Sequence, residues 1–147
     1  MTLAFRNVDV DVDAPVDTWP YEALVTVIER GGVRDWVRLT RAIDDDPWGV
    51  VASQVEEYLS YAAPYGVGPL LARGITRARR KAEERERAEV AAEVRDLVAA
   101  SGLTVAELSR RIGTSRSRLS TYRSGTVTPS AAMMNRLRRV VGALSGQ

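Results

Sequence analysis

Three glycines, Gly102, Gly113 and Gly125, divide the last third of this chain into segments too short for anything but brief helices. Glycine ends helices readily because it tolerates a left-handed backbone. The residues after each glycine are those that start helices. Thr104 is followed three residues later by Glu107, a capping box. Ser115 follows Gly113 and can cap a third helix, and Pro129 with Ser130 opens a fourth, "AAMMNRLRRVVGAL". Between these signals the apolar residues recur at helical spacing. Val94, Leu97 and Val98 form one stripe. Ala106, Leu108 and Ile112 form the next, Leu119 and Tyr122 the third, and Met133 or Met134 with Leu137, Val140 and Val141 the last. This end of the chain must therefore pack several short helices around one small core.

Two short helices joined through a glycine-containing turn make a helix-turn-helix. The second of them lies in "IGTSRSRLSTYRSG", residues 112–125. Apart from Ile112, Leu119, Tyr122 and the two glycines, every residue there is Arg, Ser or Thr. A helix that enters the major groove must offer small or polar side chains to base edges. The stretch "SGLTVAELSRRIGTSRSRLSTYRSGTVTPSAAMMNRLRRVV" resembles the helix-turn-helix domain of the Xre/Cro/phage-repressor family over residues ~93–142. The resemblance rests on the order and spacing of Leu103, Ala106, Leu108, Ile112, Gly113, Ser115, Leu119, Gly125 and Pro129. It implies a fold of four or five helices, binding to double-stranded DNA, and a dimer. It also implies a recognition helix over residues 115–123, with Arg116 and Ser117 as turn-proximal reading positions and Thr121 one turn further along. Arg116 suits a guanine, because arginine pairs bidentately with O6 and N7. Thr114, Ser115, Arg118, Arg123 and Ser124 are placed for backbone phosphates. Arg110, Arg111, Arg136, Arg138 and Arg139 add non-specific charge. One position departs from the family pattern: the residue after the Thr104 cap, often a phosphate-holding glutamine, is Val105. Simpler roles compete at several places. Ser115 can be a cap alone, Tyr122 reads better as a core aromatic than a stacking one, and Met133 and Met134 read as packing.

The charge distribution agrees with a polyanion partner. Net charge is +2, but residues 1–69 sum to −7 and residues 70–147 to +9. The final stretch, 103–147, holds eight arginines against a single acid, Glu107. Such asymmetry points the basic part at nucleic acid and the acidic part away from it.

The expected fold class is mostly all-α. Residues 1–69 read as an acidic helical module for interaction or dimerisation, 70–92 as a charged connecting helix, and 93–147 as the DNA-binding domain. In the first part, "VDVDVD" at 8–13 alternates as a short extended segment does. Helices are expected in "DTWPYEALVTVIERGG", with Pro20 at its first position; in 33–43, with Val33, Trp36, Val37 and Ile43 inward; and from Asp46 onward, with Pro47 at the first position and Trp48, Val51, Val55, Tyr58, Leu59 and Ala62 inward. All three tryptophans fall here, which implies a small core. "APYGVGPLL" at 63–71 is a break. Beyond it, Arg79/Glu83, Arg80/Glu84 and Glu83/Arg87 are spaced for ion pairs on a helix whose residues 72–88 read as mostly solvated.

Several functions are disfavoured by what is missing. The chain has no cysteine and no histidine, so it has no disulfide, no ordinary zinc ligand set and none of the commonest general base. The Asp44–Asp46 run reads as a helix-flanking loop rather than a metal site. No phosphate-loop or nucleophile motif occurs, and no enzyme activity, cofactor or metal is expected. No apolar run is long enough for a bilayer and the N-terminus has no signal-peptide pattern, so a cytoplasmic protein without membrane association is expected. Two functional classes remain open: a dimeric DNA-binding repressor, and an antitoxin-type protein whose acidic half masks a toxin partner while the basic half autoregulates.

Overall fold

The structure, a computed structural model, describes Phe5 and residues 10–146. Every regular element among these residues is helical. A 3-10 turn at Val16–Thr18 precedes α1 (Tyr21–Arg30), α2 (Val33–Asp45), α3 (Val50–Tyr61), α4 (Val67–Ser101), α5 (Val105–Ile112), α6 (Arg116–Ser124) and α7 (Ala131–Ser145). The chain divides into two compact units, Met1–Ala82 and Glu83–Gln147.

The first unit is built around Leu24, Val27, Ile28, Leu39, Ile43 and Val55, with Leu71, Ile75 and Ala78 from the N-terminal part of α4. Residues 72–82 are therefore not a solvated stretch, because one side of the helix is committed to this core. Trp19 is buried, receives Phe5 edge-on at 5.2 Å and carries the Arg38 guanidinium 4.8 Å from its ring centre. Arg38 also donates to the carbonyls of Val12 and Ala14. This explains why the alternating segment is not a strand where it is described. Asp11 accepts from the Asp13 N–H at 3.0 Å, a local turn that aspartate side chains favour, and the backbone of 12–14 is held by arginine rather than by a partner strand. Residues 8 and 9 lie outside the described residues.

Two expected helical faces are corrected. In α2 the buried row is Leu39 and Ile43, with Trp36 half-buried and its indole N–H on the Val27 carbonyl. Val33 is 71% exposed and Val37 40%. Helix α3 starts at Val50, not Pro47, because Asp46–Gly49 closes as a turn in which the Gly49 N–H donates to the Asp46 carbonyl. That turn places Trp48 outside the core, 49% exposed, with Arg79 near its ring. Arg79 also pairs with Glu56 and donates to the Pro47 carbonyl, rather than pairing with Glu83 one turn away. The break is confined to 62–66, and α1 opens at Tyr21 with Pro20 as its cap.

The second unit packs α5, α6, α7 and the C-terminal part of α4 around Val94, Val98, Leu108, Ile112, Leu119, Tyr122, Met134, Leu137 and Val141. These are the stripes expected from sequence except that Val105, not Ala106, packs beside Leu108 and Ile112, with Leu97, Met133 and Val140 also at the core's edge. Counted over the compact units, charge is less polarised than in the division at residue 69: −2 for 1–82 and +4 for 83–147. The basic run between Arg73 and Lys81 belongs to the first unit.

Candidate nucleic-acid interface

Helix α5 begins where Thr104 accepts from the Glu107 N–H and Glu107 accepts from the Thr104 N–H, at 3.2 and 2.9 Å. It ends at Gly113, whose φ of 75° is left-handed and costs glycine little. The Thr114 N–H closes back onto the Ser109 carbonyl at 2.9 Å, so the chain turns within three residues. Ser115 then caps α6 by accepting from the Arg118 N–H at 3.0 Å. Leu119 and Tyr122 anchor the inner side of α6 in the core, and Gly125 ends it at φ 80°. Two short helices are thus held across a tight glycine turn, with the second one clear on its outer side. Residues 89–147 match the family model of the helix-turn-helix domain. No curated protein and no solved structure matches this chain.

On the helix-turn-helix domain, the outer side of α6 is a shallow groove of about 750 Å³ lined by Arg116, Ser117, Ser120, Thr121 and Ser124. Arg116, Ser117 and Ser120 are exposed and Thr121 is half-buried. The three residues expected to read bases share this groove. Ser120, not singled out from sequence, joins them, and its signal was its position one turn beyond Arg116. Tyr122 is a core residue, 5% exposed.

Two of the hydroxyls on α6, those of Thr121 and Ser124, are already oriented. Thr121 donates to the Arg118 carbonyl at 2.6 Å and Ser124 to the Thr121 carbonyl at 3.1 Å, and Ser124 also meets the Thr126 hydroxyl at 2.8 Å. A hydroxyl that donates inward presents its lone pairs outward, as an acceptor. Thr114 is half-buried in the turn, and Ser115 is exposed beside it.

The arginines of this domain are not equivalent. Arg116, Arg110, Arg111 and Arg139 are exposed. Arg118 donates from Nε to the Tyr122 hydroxyl at 3.0 Å. Arg123 is half-buried, its Nε is enclosed, and its carbonyl accepts from Arg95 at 2.8 Å. Arg136 reaches from α7 to the Ile112 carbonyl at 2.9 Å, at the mouth of the turn. Arg138 makes two hydrogen bonds to Glu93, at 2.6 and 3.0 Å. That hydrogen-bonded pairing holds the Glu93 carboxyl below its usual range and the Arg138 guanidinium above its own. Glu107 is likewise held low by the Thr104 backbone N–H, with the Thr104 side chain and then Arg110 and Arg111 adding to it. Two arginines expected to lend diffuse charge, Arg136 and Arg138, are thus engaged within the fold. No helix among the described residues is long and apolar enough to cross a membrane.

Proposed function

We propose that this protein is a sequence-specific DNA-binding regulator, of the kind its resemblance to Xre/Cro/phage repressors implies, acting as a dimeric repressor. The observation that carries the reading is the outer side of α6: a groove of small hydroxylated residues headed by an exposed arginine, on a helix whose inner side is fixed in the core. A side chain with more bulk would hold such a helix out of the major groove. Arg116 reads a guanine through O6 and N7. Ser117 and Thr121 contact neighbouring base edges, with Thr121 offering an acceptor to an exocyclic amine and a methyl to thymine. Thr114, Ser115 and Ser124 meet phosphates, as do the N–H groups of Arg118 not used on Tyr122 and the outer end of the Arg123 guanidinium. The first unit serves association rather than DNA contact and the second binds DNA, the stretch expected to connect them at 70–92 being shared between the two.

The test is a footprint on the DNA just upstream of the protein's own gene, with Arg116→Ala in parallel. The expected result is protection of two half-sites about one helical turn, ~34 Å, apart. The variant should lose about 1–3 kcal/mol of discrimination at one base pair. Equal loss on specific and random DNA would make Arg116 a phosphate contact, and no protection at moderate salt would overturn the reading.

A second reading, an antitoxin that masks a toxin with its first unit, is favoured by the apolar surface there. Tyr65 is fully exposed, Tyr61 largely so and Leu70 about half. Tyr65 lines a groove of about 620 Å³ with Leu59, Pro64 and Ala72. Exposed apolar surface of this kind marks protein contacts. Co-purification of a stoichiometric second protein with the full chain, lost in Tyr65→Ser, is the outcome that separates this reading from the first.

A further inference from the structure

Beside the C-terminal end of α6 lies a second, smaller concavity of about 240 Å³, lined by Arg87, Glu84, Ala91 and Arg95 of α4 together with Ser124 and Gly125. It is open because the residues at its floor are small. A Cβ on Gly125 would lie 3.4 Å from that of Ala91. Arg87 and Arg95 stand about two helical turns apart along α4 and both are exposed. Arg95 uses one Nη on the Arg123 carbonyl, which fixes its guanidinium beside the notch and leaves its other N–H groups unused by that bond. Ser124 lines both this notch and the groove on the outer side of α6. The two concavities therefore meet at one residue.

From this we infer that the notch receives a phosphate of the DNA backbone flanking the base pairs that α6 faces, and that Arg87 and Arg95 are its phosphate-binding residues. The inference rests on the DNA-binding reading and extends it beyond the recognition helix onto α4. A guanidinium fork matches the two free oxygens of a phosphodiester, which every base pair presents alike. The contact is therefore sequence-independent and fixes the register of α6 in the groove. Glu84 opposes it, so the notch is tuned below its full strength.

The test uses the full chain and two duplexes of equal length, the DNA upstream of its gene and a random sequence, titrated across a salt series. Variants are Arg87→Gln, Glu84→Gln and Arg85→Gln. Arg85 is exposed on α4 two residues from Arg87, about 160° around the axis, and carries the same charge change. A lost phosphate contact lowers the salt slope by about 0.9, which corresponds to roughly eightfold weaker binding at ~0.1 M salt. Arg87→Gln should show that loss on both duplexes, Glu84→Gln should bind more tightly, and Arg85→Gln should change little. Wild type bound with an unchanged slope in Arg87→Gln overturns the notch alone and leaves the DNA-binding reading standing. Equal losses in Arg85→Gln and Arg87→Gln reduce the effect to net charge and also overturn it. Wild type that binds neither duplex overturns the DNA-binding reading and the notch with it. Capture of an acidic peptide, with no effect of Arg87→Gln on DNA, would reassign the notch to a protein.

Discussion

Arg136 offers the sharpest separation of an arginine that builds the domain from one that meets DNA. Its guanidinium donates to the Ile112 carbonyl, one of the last in α5, at 2.9 Å, and its Nη1 lies 3.4 Å from where a Cβ on Gly113 would stand. A charged donor at a helix C-terminus gains a hydrogen bond of about 1.5–3 kcal/mol when well shielded and a dipole term of roughly 0.3–1 kcal/mol. The bond is only partly buried, so Arg136→Met should cost about 1–2 kcal/mol. For a domain of this size each kcal/mol lowers Tm by about 4–8 °C. All three tryptophans, Trp19, Trp36 and Trp48, belong to the first unit, so fluorescence follows that unit alone while circular dichroism follows the helices of both. The helical transition of the second unit should move down by roughly 4–16 °C while the tryptophan transition stays in place. DNA affinity should fall on every sequence without a change in salt slope. An unmoved helical transition, or a slope reduced by about one unit, would show that Arg136 holds a phosphate and not the turn.

Leu119→Ala removes a fully buried side chain at the contact of α6 with the core and should cost about 2–5 kcal/mol; denaturant unfolding followed by circular dichroism checks it, and a cost below ~1 kcal/mol would mean that α6 is anchored elsewhere. Glu93 and Glu107 have carboxyls held below the ordinary 4.5 in the folded chain, so their contribution is complete above that pH and is lost as pH falls through their lowered values; a Tm series from neutral to acid pH should show the decline, and Glu93→Gln should flatten part of it. Arg38→Met breaks two hydrogen bonds to 12–14 and the contact over Trp19, so tryptophan emission should shift to the red with no change in DNA affinity.

The second unit was legible because its determinants are local. A threonine and a glutamate three residues apart make each other's hydrogen bonds, and a glycine writes its own left-handed turn, so caps and turns at 104, 113, 115 and 125 follow from neighbours in the chain. Leu108, Ile112, Leu119 and Tyr122 are then the bulky apolar residues of the two short helices that turn inward together, with Val105 at the core's edge. The first unit depends on partners far away. Arg79 bonds to Glu56 and Pro47 instead of the glutamate one turn along, and no spacing within α4 encodes that. Val33, Val37 and Trp48 have the composition of core residues but lie where the core does not reach, while Leu39 completes a row with Ile43. At the candidate interface, the row of Ser and Thr was visible. The engagement of Arg118, Arg136 and Arg138 was not, since a solvated arginine and a clamping one look alike in sequence.

The nine residues of α6, closed at both ends by turns with left-handed glycines, set a limit on information. At 1.5 Å per residue the helix is about 13 Å long, which along a duplex corresponds to roughly four base pairs at ~3.4 Å each. Four positions distinguish on the order of 250 sequences, far fewer than the competing sites in a genome. Neither end can be lengthened without abolishing a turn that holds the domain together. Any sharper address has to come from outside the helix, through a second copy in register or through backbone contacts that choose DNA by its shape.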